Sequence, residues 1–358
     1  MRHRPPTPAL SELRDLALEH GIEHLGVARA EVLGRARQAL HERRDAGLDG
    51  GMGFTYRNPD RSTDPFHSVP GARSILVGAL SYYSDDPARP SGPHARVARY
   101  ARVDHYAPLR SGLRAIAARL KAAGDRATVF ADDNGLVDRE AAYQAGIGWY
   151  GKHANLMVPG RGSWFVLGSV VTTAGFEPAD APVRDGCGTC RRCLDACPTG
   201  AIVAPGVVDA GRCLAWVLQK PGTIPVAMRE PIGDRIYGCD DCQEACPPAV
   251  RFGARHPGAG STLPAWVDVL DLLEADDTTL LDRHGGWYIA ERDPRWLRRN
   301  ALVVLGNTGS GTDARTRAVL EHYRSGPDDV LAEHAAWAAD RLGVAVVGAA
   351  PRAGGTPR

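Results

Sequence analysis

The chain has 358 residues, 44% of them hydrophobic and 24% charged, with a formal net charge of +1. That length exceeds what one hydrophobic core ordinarily fills, so two or three packed units are expected, and the composition excludes a chain disordered throughout. Near-neutral charge excludes a global field drawing the chain onto a polyanion, so a nucleic-acid partner requires a local basic patch.

The opening MRHRPPTPAL carries charge with no apolar run behind it, and no later stretch approaches the roughly 18 apolar residues of a membrane span. A cytoplasmic protein with no membrane partner is expected. In TPALSELRDLALEH, Leu10, Leu13, Leu16 and Ala17 share one helical face between the start signals Thr7 and Pro8 and the stop at Gly21, predicting a helix over 7–20. RSILVGALSYY (73–83), RATVFA (126–131) and SWFVLGSVVTT (163–173) are β-rich runs bounded by Gly, Pro or Asp and predict strands. Between the first two, Leu109, Leu113, Ile116, Ala117 and Leu120 recur at helical spacing before Gly124, predicting an amphipathic helix packed on the sheet. Strands mixed with helices through residue 175 indicate an α/β or α+β unit.

FEPADAPVRDG (176–186) has the composition of a linker, and RFGARHPGAGSTLP (251–264) that of a hinge. Beyond it WVDVLDLLEA, DPRWLRRNALVVLGNTG, DARTRAVLEHYRSG and DVLAEHAAWAADRLG read as helices, each with Asp near its start and most with Gly at the end. Paired helices of this length resemble HEAT units, though two pairs do not establish a period. The tail AAPRAGGTPR is expected to fray.

Between linker and hinge lie all eight cysteines. In a reducing compartment clustered thiols are metal ligands or redox groups rather than disulfides. Cys187, Cys190, Cys193 and Cys197 fit C-x2-C-x2-C-x3-C with Pro198 following, the bacterial ferredoxin run, in which three thiolates wrap one cluster and the fourth serves its neighbour. Cys239, Cys242 and Cys246, followed by Pro247, form a second run that lacks one member, and Cys213 supplies it from upstream. Crossing the fourth ligands gives one [4Fe–4S] cluster on Cys187, Cys190, Cys193 and Cys246 and another on Cys213, Cys239, Cys242 and Cys197. Two tetrahedral zinc sites are the competing reading, but zinc requires neither the third close cysteine nor the crossed partner. Clusters pass electrons and do little organic chemistry, so the reacting centre is expected upstream.

The stretch GIGWYGKHANLMVPGRGSWFVLG (146–168), with MGFTYR (52–57), ARYARVDHY (98–106), the double cysteine run and the helical tail, resembles the epoxyqueuosine reductase family over roughly residues 8–345. The resemblance implies an α+β fold in three parts. Residues 1–175 would form a cobalamin-binding domain of the nitroreductase-like and reductive-dehalogenase-like kind, 176–255 a ferredoxin-like domain with two [4Fe–4S] clusters, and 256–358 HEAT-like helices contacting tRNA. It implies removal of the epoxide oxygen from epoxyqueuosine at the tRNA wobble position, giving queuosine, with cobalamin fed electrons by the clusters. It further implies a small electron-donor protein of the flavodoxin or ferredoxin type and a monomeric enzyme.

Counting back from Ala145 as the family motif directs, the proton donor falls on Asp132. Asp133 adjoins it, and ADDNG reads equally as a turn. Arg57 and Lys152 match positions beside the corrin, and Arg139 one near the substrate. Arg298 and Arg299, with Arg292 and Arg295 around Trp296, form a basic stretch expected to track tRNA phosphates, against the alternative of a salt-bridged helix with a buried Trp. The chain departs from the family pattern at His153, where asparagine is usual, at Ser169, where an acid is usual, and at HYA (105–107) in place of DYH. A corrin-dependent reductase of another electrophile such as an organohalide, or an electron-carrying or corrin-handling protein, are the alternatives.

Overall fold

The computed structural model describes residues 6–260 and 262–344. The chain divides into two compact units, and each is assembled from separated segments. The first takes in residues up to Ala88, Val97–Lys220 and Tyr237–Ala265; the second takes in Arg89–Arg96, Pro221–Ile236 and residues from Trp266 onward. The cysteine region thus packs within the same unit as the upstream strands, whereas the helices after Trp266 recruit two short upstream segments.

The first unit is built on a four-stranded sheet in the order His24–Arg29, Ser74–Ser81, Phe165–Thr172, Ala127–Ala131, with every neighbouring pair antiparallel. Its central strands are buried along nearly their whole length, which is why both read as apolar runs rather than alternating ones. On Ser74–Ser81, Ile75, Val77 and Ala79 enter one core and Leu76 and Leu80 the other. Helices Leu10–Glu19 and Tyr106–Ala122 cover the face of Leu76; helices Gly34–Asp45 and Asp138–Gln144 contribute to the face of Ile75. Gly78 pairs with Gly168 at the sheet centre. A Cβ on Gly168 would lie 2.7 Å from Leu113 Cδ1, so two bare residues let the long helix seat its fully buried leucine against the strands.

The helix expected over 7–20 spans Leu10–Glu19, and that expected over 109–124 spans Tyr106–Ala122. Residues 176–186 are irregular, as their composition implies. The hinge expected from 251 begins later, because helix Pro247–Arg255 runs into it. Pro247 occupies the first helical turn, where its missing N–H costs nothing, and the helix propagates from there.

The second unit is helical, with helices Val269–Glu274, Asp277–His284, Arg295–Thr308, Ala314–Ser325 and Asp329–Arg341. Aspartates cap four of the five: Asp268, Asp276, Asp313 and Asp328 accept from Asp271, Thr279, Thr316 and both Val330 and Leu331 backbone N–H groups. WVD at the head of the first expected helix is instead a short strand, Trp266–Asp268, in which Trp266 pairs with Arg96. The tail expected to fray lies outside the described residues.

Candidate functional site

The turn after strand Ala127–Ala131 separates two adjacent aspartates. Asp133 Oδ1 accepts from the Gly135 backbone N–H at 2.7 Å, closing the turn. Asp132 has φ +55°, a left-handed conformation that costs a residue with a Cβ about 1–2 kcal/mol. Its carboxyl accepts no hydrogen bond among the described residues and lines a cavity of about 390 Å³. The side chain is open to solvent on one side, yet the surrounding protein desolvates it enough to raise its pKa, against the pull of Arg110 and with help from Asp104 and Asp133.

Asp138 opens the helix Asp138–Gln144 and reaches the same cavity, accepting from Ser169 Oγ at 3.2 Å. Burial pushes its carboxyl well above the ordinary range, with the Ser169 bond opposing and Asp133 and Asp132 adding. The helix is held by Glu140, 2% exposed, which takes Arg35 Nη2 at 2.5 Å. Tyr106, from the long helix, lines the cavity too, and burial beside Asp132 and Asp138 raises its hydroxyl pKa. Arg139 lies exposed on the cavity wall and donates from Nη1 to the Ala154 carbonyl at 2.9 Å.

A second cavity of about 230 Å³ is lined by Cys187, Cys190, Cys193 and Cys246. None of the eight cysteines forms a disulfide. Cys246 caps the helix begun by Pro247, so the Cys-Pro step ends one segment and starts the next with the thiol at the junction. Burial pushes the Cys246 thiol up to about 11, with Cys187, Cys193 and Cys190 adding. Burial likewise raises Cys242, with Cys239 and Cys213 as the leading charges, and Cys197 acts on Cys213. The first three cysteines of one run and the last of the other therefore line one cavity together. Four sulfurs around one zinc, each about 2.3 Å from the metal, would close on a single ion. A cavity of about 230 Å³ among these four fits a polynuclear cluster instead.

The second cysteine run is bonded to the wall of the Asp132 cavity. Gln243 Oε1, one residue past Cys242, accepts from Tyr82 at 3.0 Å, Ser163 at 3.2 Å and Asn155 at 3.4 Å. Those three residues line the Asp132 cavity. Asp240 accepts from the Arg99 backbone N–H at 2.7 Å, and Arg99 pairs with Glu244 at 2.5 Å, fastening the same run again. Gln243 and Asp138 carry no spacing signature, and sequence reasoning missed both. A third acid six positions beyond Asp132 was the available sign for Asp138.

Four expected site residues have partners or exposure of their own. Lys152 donates to the carbonyls of Gly188 at 2.6 Å and Cys190 at 2.9 Å, so its ammonium braces the first cysteine loop and is not among the residues lining the Asp132 cavity. Arg57 is exposed at the end of the short helix Gly53–Tyr56 and is likewise absent from that lining. Arg299 is 1% exposed, donates to Gly222 O at 2.5 Å and Asn300 Oδ1 at 2.8 Å, and burial lowers its pKa to about 10. A guanidinium enclosed in this way cannot reach a phosphate. Arg298 is spent on Asp277 at 2.5 Å and Ala275 O at 2.8 Å. Spacing three and four apart identified a helix side but not which side faced the core.

Two family models match: Epoxyqueuosine reductase QueG, DUF1730, over residues 63–133, and the 4Fe-4S double cluster binding domain over residues 186–249, a span containing all eight cysteines. The epoxyqueuosine reductase of Xanthomonas campestris pv. campestris is 36% identical over 361 residues, covering 95% of this chain and 98% of that protein. A crystal structure of epoxyqueuosine reductase with an epoxyqueuosine-modified tRNA-Tyr stem loop is 29% identical, with TM-score 0.83 over 93% of this chain and 90% of that one. The Bacillus subtilis enzyme, in a structure whose aspartate-bearing catalytic loop is swung out of the active site, is 30% identical with TM-score 0.83 over the same shares. The chain carries a double [4Fe–4S] binding domain within a mixed helix and sheet fold, and it belongs to the epoxyqueuosine reductase family.

Proposed function

We propose that this chain reduces epoxyqueuosine to queuosine in tRNA, with Asp132 as proton donor to the departing oxygen. The observation that carries the reading is the bonding of the second cysteine run, through Gln243, to the wall of the cavity that Asp132 enters. Ligands of one cluster are thereby tied to the wall that carries a carboxyl whose pKa burial raises.

Removing the epoxide oxygen breaks two C–O bonds, forms a C=C bond and releases water, consuming two electrons and two protons. The clusters would be held as Cys187, Cys190, Cys193 and Cys246, and as Cys213, Cys239, Cys242 and Cys197. Cobalamin, when bound, supplies the low-potential metal centre that passes the electron pair to the substrate. The Asp132 cavity offers a corrin apolar surface from Phe54, 56% exposed, and Phe165, and polar groups for its amide side chains from Thr55 and Asn155. Asp132 delivers a proton to the oxygen, and Asp138 and Tyr106 are placed to hold further protons on the same wall. Arg139 is the cation positioned to meet an anionic part of the substrate.

The B. subtilis relative has a catalytic aspartate on a loop that can leave its active site. The strained turn at Asp132 is the corresponding element in this reading. The helical unit, read as HEAT-like, contributes to gripping the tRNA with cations other than Arg299, and electrons arrive from a small flavodoxin- or ferredoxin-type protein. Among the described residues no helix is long and apolar enough to cross a membrane, which accords with a tRNA substrate.

The test is conversion of epoxyqueuosine-bearing tRNA by anaerobically loaded protein with cobalamin and a reductant. Nucleoside mass spectrometry should report loss of one oxygen with wild type and none with Asp132→Asn, whose iron and sulfide content should match wild type. Equal conversion by both proteins would overturn the assignment of Asp132.

A further inference from the structure

His153 sits on the loop before Asn155, and the Asn155 backbone N–H donates to its Nδ1 at 3.2 Å. A ring nitrogen that accepts carries no proton, so the neutral ring is protonated at Nε2. That N–H is buried and has no acceptor among the described residues. The residue is only 5% exposed, so bulk solvent is not at hand. A buried donor left unmet costs about 1–3 kcal/mol, which makes its acceptor a question with few answers.

The ring lines the cavity of Cys187, Cys190, Cys193 and Cys246. Trp149, Lys152 and Arg251 on the same lining add donors only, and the Trp149 indole N–H is also unmet. Gly151 makes room for the histidine: a Cβ there would lie 2.8 Å from His153 Cε1 and 3.2 Å from Nε2. The side-chain acceptors this lining offers are sulfurs, those of the four cysteines and of Met157. Hydrogen bonds to cluster sulfurs are among the determinants of reduction potential, and a donor favours the more negative, reduced state.

We propose that His153 donates a hydrogen bond from Nε2 to a sulfur of the cluster held by Cys187, Cys190, Cys193 and Cys246, and so raises that cluster's reduction potential above the value it would have alone. The proposal rests on the double-cluster reading. Iron and sulfide analysis of each sample, about eight of each per chain, separates failure of that reading from failure of this one.

The experiment is an anaerobic redox titration of the full chain followed by electron paramagnetic resonance, comparing wild type with His153→Leu and His153→Gln. His153→Leu should shift one of the two cluster potentials to a more negative value and leave the other in place. His153→Gln, which keeps an N–H at similar reach, should recover most of the shift. Pulsed resonance on reduced wild type containing 15N-histidine needs no folded variant, and should detect a histidine nitrogen coupled to one cluster. Unchanged potentials in a fully loaded His153→Leu protein, an equal shift of both clusters, or absence of the nitrogen coupling would each overturn the proposal.

Discussion

Asp132 and Asp133 adjoin in sequence and have different duties, because one carboxyl closes the turn and the other is left facing the cavity. Asp133→Asn keeps an acceptor for the Gly135 N–H and should leave turnover within a few-fold of wild type. Asp132→Asn should lower single-turnover rates by about 10²–10⁴-fold, the ordinary contribution of a positioned general acid. Burial raises the Asp132 pKa, and an acid must be protonated to donate, so the rate should fall as pH rises through that raised value. Arg110 opposes the shift, so Arg110→Gln should move the alkaline fall to higher pH; a pH–rate profile displaced downward would contradict the reading.

At the same scale, Arg299→Ala removes buried bonds to Gly222 O and Asn300 Oδ1, which should destabilise the protein by about 2–3 kcal/mol in denaturant titrations. A loss of tRNA affinity with unchanged stability would restore the phosphate-contact role that burial denies. Helical periodicity placed Arg298 and Arg299 on a helix but could not reveal that their carbonyl partners come from Ala275 and Gly222, 23 and 77 positions away. The Asp132 turn was legible because its residues are local. Gln243 was not, since its partners Tyr82 and Ser163 lie 161 and 80 positions distant.

Elements divide the same way between local and distant causes. Strands Ser74–Ser81, Ala127–Ala131 and Phe165–Thr172 and helices Leu10–Glu19 and Tyr106–Ala122 announced themselves through apolar runs and helical spacing, whereas strand His24–Arg29 and helix Gly34–Asp45 did not; Asp268 and Asp313 marked helix starts in the second unit. The helix Asp277–His284 was missed because it presents one buried leucine, Leu280, rather than a stripe. Asp328 satisfies two backbone donors at once, and Asp328→Ala should cost about 1 kcal/mol of stability. At the sheet centre, Gly168→Ala drives a methyl group into Leu113 and close to the Phe130 carbonyl, and should cost about 1–3 kcal/mol. Thermal unfolding of clusterless and loaded protein would check both; no change for Gly168→Ala would mean the long helix packs elsewhere.

For the molecule as a whole, cysteine spacing carried the most information, since C-x2-C-x2-C-x3-C states ligand order directly. Unit composition was illegible, because segments 89–96 and 221–236 join the helical unit through pairings far apart in sequence. The account makes one unit hold the sulfur ligands, the acid and the cavity, so that electrons and proton meet on a single substrate. The direct measurement is nucleoside mass spectrometry of epoxyqueuosine-bearing tRNA after incubation with anaerobically loaded, reduced protein and cobalamin. The account predicts that queuosine appears as epoxyqueuosine is lost. Intact epoxyqueuosine in the presence of two filled, reduced clusters would contradict it.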